Sequence, residues 1–263
     1  FLSQLKSNRP KQPINGVILA ISLEDIMLLG PEEIAAHATA IRKRLLELHD
    51  HLKIDFPVYA LFTKSDLISG FNEFFSAFPE ERRRQVWGAT FQTEDRKKNC
   101  IDQIPAEFDA LVERLTEETA DRLQSEPDAM ARIAIFGFPA QVANLRDPIA
   151  QLLNAIFEPT RYHANAHLRG FYFSSGTQQG TPIDQVLGAM GTSFAADSTG
   201  YMSGQGKSYF LHDLMKKVIF PEAGWVSRDM KAIRRSRILR YGAMSAIALT
   251  TTALSAAWVS SYF

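Results

Sequence analysis

The chain has 263 residues, and its 29 Lys and Arg balance 29 Asp and Glu, so the formal net charge is zero. Nucleic-acid-binding proteins usually carry a basic excess, so this balance argues against that class. The single cysteine, Cys100, excludes an intrachain disulfide framework and is typical of a reducing compartment, and the length allows one large domain or two small ones.

The first predicted element is a strand over residues 16–22 (GVILAIS), whose continuous apolar run indicates burial on both faces. Gly30-Pro31-Glu32-Glu33 then predicts a helix start, since proline suits the first position and acids suit the first turn. One apolar face of this helix contains Ile34, Ala38, Ile41, Leu45, Leu48 and Leu52. A second buried strand is predicted over 56–62 (FPVYALF). This strand–helix–strand order implies a right-handed crossover and a parallel sheet.

Helical spacing dominates the next hundred residues. One helix is predicted over 100–124, with Ile101, Ile104, Phe108, Leu111, Leu115 and Leu123 roughly in line. Pro139 predicts the start of another, with apolar residues at 142, 145, 149, 152 and 156, while 133–138 (IAIFGF) is ambiguous between strand and helix. A third strand is predicted at Leu168–Ser174. Beyond it we expect a helix from Pro182, a small, polar loop over 192–206, and helical spacing over 207–219.

The last residues have the properties of a membrane span. Residues 241–263 contain no charged side chain, and about 20 such residues suffice to cross the hydrocarbon core. Basic side chains crowd the preceding flank: Arg228, Lys231, Arg234, Arg235, Arg237 and Arg240. Because such residues stay on the cytoplasmic side, we expect residues 1–237 in the cytosol, a membrane helix over 238–263, and a chain that continues on the opposite side of the membrane. The alternatives are a buried core helix or an apolar interface helix of a soluble regulator.

Thr63-Lys64-Ser65-Asp66 follows the second predicted strand, at the sheet edge where open α/β folds bind ligands. It resembles the NKxD guanine-recognition motif of GTPases, with Thr63 in place of asparagine. Ser174-Ser175-Gly176 ends the third strand, where GTPases carry a second base-contacting loop. These positions are candidate nucleotide-binding residues: Thr63, Lys64, Asp66, Ser174, Ser175 and Gly176. In the alternative interpretation, Asp66 caps the next turn and Lys64 packs over the sheet.

Other motifs give no catalytic or metal site. The segment 204–208 (GQGKS) imitates the end of a phosphate loop, but Tyr201 occupies the position where that pattern needs glycine, and no apolar strand precedes it. The six histidines are scattered, and no Ser/His/Asp arrangement is present. The sequence therefore predicts no metal and no evident cofactor. GTP or ATP with Mg²⁺ stays open as a ligand of the whole protein.

Several segments together resemble the IcmF/TssM family of type VI secretion inner-membrane proteins. They are 15–27 (NGVILAISLEDIM), 56–66 (FPVYALFTKSD), 136–141 (FGFPAQ), 168–184 (LRGFYFSSGTQQGTPID) and 208–223 (SYFLHDLMKKVIFPEA). The resemblance implies two N-terminal transmembrane helices, a cytosolic GTPase-like domain, a third transmembrane helix and a large periplasmic region. The chain begins at Phe1 and stops at Phe263, so we expect a fragment containing the later part of that cytosolic domain and the third helix.

The resulting expectation is an α/β, GTPase-like parallel sheet over 1–190, incomplete at its N-terminus, with a helical insertion at about 76–165. A loop and juxtamembrane helical extension (191–237) and the membrane helix (238–263) follow. The resemblance implies a structural component that docks the baseplate. Its partners would be a small inner-membrane protein, an outer-membrane lipoprotein, baseplate proteins and other copies of itself. The alternative is a GTPase-like domain that binds or hydrolyses nucleotide; without a phosphate loop in this chain, we favour a non-enzyme.

Overall fold

The computed structural model describes residues 2–10, 12–91, 100–158, 167–177, 207–225, 227–228, 245 and 250–252. The strands are β1 (Val17–Ser22), β2 (Ile54–Asp55), β3 (Pro57–Thr63), β4 (Gly88–Thr90), β5 (His167–Phe173), β6 (Ser175–Thr177), β7 (Lys207–Tyr209) and β8 (Ser227–Arg228). The helices are α1 (Leu2–Asn8), α2 (Leu23–Leu28), α3 (Pro31–Leu52), α4 (Phe71–Phe75), α5 (Glu80–Arg83), α6 (Ile104–Ser125), α7 (Ala129–Ala143), α8 (Arg146–Phe157) and α9 (Leu214–Ile219, a π-helix).

The main sheet has the order β1–β3–β5–β4, in which β1, β3 and β5 are parallel and β4 is antiparallel to β5. The α/β class and the parallel pairing of the first two predicted strands are therefore confirmed. Residues 57–62 of β3 are buried, because β3 lies inside the sheet with both faces covered. The prediction that the first strand is buried on both faces is wrong. In the described part of the chain β1 pairs with β3 alone, and Ile18 is 41% exposed.

Helix α3 follows its predicted pattern. The Glu33 carboxylate accepts a hydrogen bond from the Gly30 N–H at 3.1 Å and so satisfies a donor that the first turn leaves unpaired. Ala38, Leu45 and Leu52 are buried, and the other three predicted positions are partly buried against the same core. The helix ends at Lys53, whose left-handed backbone (φ 55°) stops it.

One face of the sheet carries an aromatic core. Phe71 of α4 lies with its ring centroid 5.9 Å from that of Trp87 and 6.2 Å from that of Phe138. Trp87 in turn lies 4.8 Å from Phe173 of β5. Helices α6, α7 and α8 contribute further buried side chains to this core, among them Phe108, Ile135, Leu153 and Phe157. Cys100 is also buried.

The helices after β4 partly match their predicted spacing. The 100–124 pattern is confirmed by α6 and the short 3₁₀ turn before it. The prediction that Pro139 begins a helix is wrong, because Pro139 lies inside α7, which starts eleven positions earlier at its cap, Asp128. The Asp128 side chain accepts from the Ala131 N–H at 2.8 Å, which fixes the start of α7. The apolar positions from 142 to 156 are consequently divided between α7 and α8.

The second face of the sheet is covered by the C-terminal segment. Tyr59, Leu61 and Tyr172 form a buried cluster with Leu214 of α9. The predicted helical spacing over 207–219 is only partly correct, because residues 207–209 form β7, antiparallel to β6. Helical structure begins at His212. A strand here allows the backbone of residues 175–177 to make ladder hydrogen bonds beyond the end of the main sheet.

Several predicted features fall outside the described residues: the helix from Pro182, the 192–206 loop, and all of 238–263 except residues 245 and 250–252, which are helical. Within the described part of the chain, no helix combines the length and apolar character needed to cross a bilayer.

Candidate functional site

The three parallel strands of the main sheet end at one edge. Ser22 of β1 is paired with Thr63 of β3, and Phe62 is paired with Phe173 of β5. The loops after β3 and β5 therefore emerge side by side. The cleft between them has a volume of ≈ 620 Å³. All six candidate nucleotide-binding residues line it: Thr63, Lys64, Asp66, Ser174, Ser175 and Gly176. We call it the sheet-edge cleft.

Backbone hydrogen bonds hold the two loops together beyond the sheet. The Ser174 N–H donates to the Phe62 carbonyl at 2.8 Å, and the Ser65 N–H donates to the Ser174 carbonyl at 3.2 Å. The backbone of Lys64 adopts a left-handed conformation (φ 61°, ψ 39°) that residues other than glycine rarely take. This turn leads into the 3₁₀ turn of Ser65–Leu67 and gives Asp66 a fixed position.

The Lys64 ammonium is held by an acid from a different strand end. Its Nζ lies 2.5 Å from Oε2 of Glu24, which follows β1 in α2. This hydrogen bond raises the pKa of Lys64 above its ordinary value, and the nearby negative charge adds to the effect. Both side chains are about half exposed, so water weakens the ion pair. The lysine therefore lines the cleft as a partner of Glu24, which lines the same cleft.

The Asp66 carboxylate is also engaged inside the protein. The Ser175 hydroxyl donates to Asp66 Oδ1 at 2.5 Å, and Ser175 itself is buried. The ladder between β6 and β7 fixes Ser175, because Ser175 is paired with Tyr209 and Gly176 with Ser208. The interaction therefore couples the loop after β3 to the C-terminal segment.

Four residues of the cleft were missed by the sequence analysis, of which two are apolar (Leu67 and Leu211) and two are polar. Glu24 and Ser208 both line it. An acid directly after a parallel strand is a usable signal for Glu24, since all such strand ends share one edge. Ser208 belongs to the 204–208 segment and reaches the cleft only through pairing of β6 with β7. Local pattern does not indicate that pairing, because residues 178–206 separate the two strands.

One of the six candidate membrane-flanking cations, Arg228, falls within the described residues. Residue 228 lies in β8, whose backbone is antiparallel to β2 at Ile54, just before the amino-terminal end of β3. That end of the sheet is opposite to the cleft. The other predicted cations, Lys231, Arg234, Arg235, Arg237 and Arg240, lie outside the described residues. The described residues contain no group of three or more His, Cys, Asp or Glu that could hold a metal ion.

Comparison with known protein families matches residues 1–247 to the IcmF-related N-terminal domain. The chain belongs to the IcmF-related family. The family resemblance inferred from its sequence segments is therefore confirmed.

Among curated relatives of this IcmF-related chain is the type VI secretion system component TssM1 of Pseudomonas aeruginosa, which is 43% identical over 266 residues. The aligned region covers 100% of the present chain and 24% of TssM1, so the chain spans about a quarter of that relative's length. No solved structure matches the chain.

Proposed function

We propose that this IcmF-related domain is a structural and docking component of a type VI secretion membrane complex and does not turn over a substrate. The observation that carries the proposal lies in the sheet-edge cleft. Lys64 and Asp66, which would contact a base, are engaged by Glu24 and Ser175. The similarity to TssM1 supports the assignment to a type VI secretion system.

The composition of the cleft also favours docking over catalysis. Phosphoryl transfer depends on a phosphate-binding loop and Mg²⁺ to place and neutralise charge. Among the described residues that line the cleft, Gly176 is the one glycine, and no glycine-rich loop is present. The ion pair at Lys64 and the partly buried hydrogen bond at Asp66 instead brace neighbouring loops. A braced sheet edge is suited to presenting a fixed surface.

In this proposal residues 1–237 lie in the cytosol and 238–263 cross the inner membrane, with the basic residues from 228 to 240 on the cytosolic side. The proposed partners are a small inner-membrane protein, baseplate proteins, other copies of the chain and, through a periplasmic region, an outer-membrane lipoprotein. A reporter pair fused after residue 263 tests the topology. We expect alkaline phosphatase to be active and green fluorescent protein to be dark, and the reverse pattern would refute the membrane assignment.

The docking role is tested in a bacterium that assembles the machine. The full-length protein is replaced by a version lacking residues 1–225, with the basic flank and the apolar segment retained. We expect a fluorescent baseplate protein to lose its membrane foci, while the small inner-membrane partner still co-purifies. Foci that persist at normal number would contradict a docking role for this domain.

Nucleotide binding is the second candidate, favoured by one observation: six residues selected by resemblance to GTPase motifs line a single cleft. The test measures binding of fluorescent GTP and ATP analogues to the full-length protein and to an Asp66→Ala variant. Asp102→Ala, an exposed acid outside the cleft, is the matched control. A docking domain should show no saturable binding in any of the three proteins. Micromolar binding that Asp66→Ala alone weakens would establish the second candidate.

A further inference from the structure

Helix α7 exposes large apolar side chains along its outer side. Met130 is 72% exposed, Ile133 66% and Phe136 72%. These residues follow one another at intervals of three, and Gly137 and Ala140 continue the same side of the helix. On the opposite side, Ile135, Phe138 and Val142 are completely buried. We call the outer side, made of Met130, Ile133, Phe136, Gly137 and Ala140, the α7 face.

A helix that is apolar on all sides is normally buried on all sides. In the described part of the chain no element covers the α7 face, although its three large side chains are among the most exposed hydrophobic residues. Clustered exposed apolar side chains of this kind mark surfaces that bind other molecules. Within the described residues, the α7 face is therefore an unpaired apolar surface.

Gly137 gives a second indication of a partner. A glycine inside a helix lowers stability relative to alanine, so its presence usually indicates that another group packs closely against the backbone there. A Cβ atom added at Gly137 would meet nothing within 4 Å. The described chain itself therefore does not require glycine there. Close approach of another backbone to the outer side of α7 would require it.

The neighbouring helix α6 indicates the charge of that partner. It is joined to α7 by residues 126–128 and packs against it. Four exposed acids recur along α6 at intervals of four, which we call the α6 acidic stripe: Asp109, Glu113, Glu117 and Asp121. Like charges at this spacing repel each other, and Arg114 is the one exposed cation on α6. Asp109 forms an ion pair with Arg146, which lies just beyond the end of α7, so one end of the stripe lies close to the C-terminal end of α7.

We propose that the α6–α7 hairpin is a docking site for an amphipathic helix of a partner protein, with an apolar side against the α7 face and Lys or Arg along its edge. Such a helix would bury Phe136 and Ile133, approach closely at Gly137 and neutralise the acidic stripe. An anionic lipid surface fits poorly, because the stripe would be repelled by the headgroups. A symmetric pair of copies would place two acidic stripes at one interface.

This inference deepens the proposed docking function, on which it rests. The test incorporates a photo-crosslinking amino acid at Ile133 in the full-length protein, in cells that assemble the machine. Exposed Arg44 on α3 is the control position. We expect a crosslink at Ile133 alone, to a peptide of another protein that is helical, apolar on one side and bordered by Lys or Arg. A crosslink to this chain's own segments, to a second copy or to lipid would overturn the proposal.

Two variants then separate binding from folding. Neither substitution should affect folding. Phe136→Ser replaces an apolar side chain that is exposed to solvent in the described structure, and Gly137→Ala should not weaken helix α7. We expect each to reduce crosslinking and co-purification of the partner at least about tenfold without lowering the unfolding temperature, because Phe136→Ser removes an anchor and Gly137→Ala places a methyl group where the partner backbone approaches. Leu28→Ser, at an exposed leucine outside the hairpin, should have no effect. Wild-type secretion and crosslinking by both variants would refute the site.

The outcome is distinguishable from failure of the docking function itself. If baseplate foci persist without residues 1–225, the proposed function fails regardless of the α7 variants. If foci depend on the domain but not on Phe136 or Gly137, docking is correct and the α6–α7 site is wrong. Reversal of charge at Glu113 and Glu117 to lysine should weaken the crosslink as well, because a basic partner would then be repelled.

Discussion

Arg169 on β5 and Glu222, which lies 53 residues later in the chain, form a bidentate ion pair on the second face of the sheet. Arg169 Nη2 lies 2.8 Å from Glu222 Oε1, and Nε lies 3.0 Å from each carboxylate oxygen. The side chains are only 8% and 14% exposed. The Tyr59 hydroxyl donates to the same carboxylate at 2.8 Å. These contacts fasten the C-terminal segment to two central strands.

Replacing Glu222 by glutamine should destabilise the protein strongly. The substitution keeps the shape of the side chain but leaves the buried Arg169 guanidinium without its carboxylate, and loss of one member of a buried pair costs about 3 kcal/mol. Unfolding in urea, followed by tryptophan fluorescence, measures the free energy of unfolding. Glu81→Gln, at an exposed acid on α5, should change it by less than about 0.5 kcal/mol. Equal values for the two variants would show that the ion pair contributes nothing specific.

Alkaline pH should destabilise the fold through two buried tyrosines. Burial, reinforced by the hydrogen bond to Glu222, raises the pKa of Tyr59 above its ordinary value, and burial does the same to the pKa of Tyr172. Because the folded state holds these protons more tightly, their contribution is complete below the unfolded pKa of about 10 and is lost as pH rises above it. Urea unfolding at a series of pH values from neutral to alkaline should therefore show decreasing stability.

Tyr59→Phe isolates one of these groups. It removes a titrating hydroxyl, so the decrease in unfolding free energy at alkaline pH should become shallower, even though stability at neutral pH falls with the lost hydrogen bond. Absorbance of ionised tyrosine, recorded on the folded protein, gives the titration directly. A variant with the alkaline slope of the wild type would exclude Tyr59 as a source of the pH dependence.

Gly170→Ala should be poorly tolerated. Gly170 lies in β5 beside a shift in the β3–β5 register, and a Cβ atom there would collide with the Ala89 carbonyl and the Tyr172 ring. The Ala89 carbonyl is backbone and cannot rotate away, so we expect a loss of about 2–3 kcal/mol, the upper part of the range for overpacked sites. Gly176→Ala is the control, since a Cβ there meets nothing within 4 Å. Thermal unfolding of both variants should separate them clearly.

Arg122 stabilises the core by satisfying backbone carbonyls. Its Nε donates to the Phe74 carbonyl at 2.8 Å and its Nη2 to the Glu73 carbonyl at 3.1 Å, at the end of α4. Arg122→Met preserves the apolar stem but leaves these carbonyls without their donors, which should cost about 1–3 kcal/mol. Arg132→Met, at an exposed arginine on α7, is the matched control. Similar urea midpoints for the two variants would contradict this role.

Burial explains which elements could be predicted from sequence. Helix α3 was predicted correctly because its apolar residues recur at helical spacing, and strand β3 because a short continuous apolar run is typical of a strand buried on both faces. Strand β1 has an equally apolar sequence, yet Ile18 is exposed, because position within a sheet is not encoded in one strand. Helix α7 was ambiguous for a related reason: its apolar residues lie on both sides, so no period is visible.

The candidate cleft was predictable in part. Parallel strands end at one edge, which brought Lys64, Asp66 and Ser175 together as expected. The hydrogen-bond partners of these residues could not be predicted from the sequence in the same way. Glu24 follows β1 and pairs with Lys64 at the end of the neighbouring strand β3, and Ser175 lies 109 positions after Asp66 in the chain. Sequence identified the polar groups, but only the fold determined that they satisfy one another.

By itself, the sequence determined the α/β class, the parallel pairing of the strands around α3 and the family, because apolar periodicity and strand order are local properties. Tertiary structure alone decided three things: β1 lies at the open side of the described sheet, the C-terminal segment fastens to it through Arg169 and Glu222, and α7 keeps an apolar side exposed. Each depends on contacts between distant segments. Burial and charge pairing are settled only when the chain has brought those segments together.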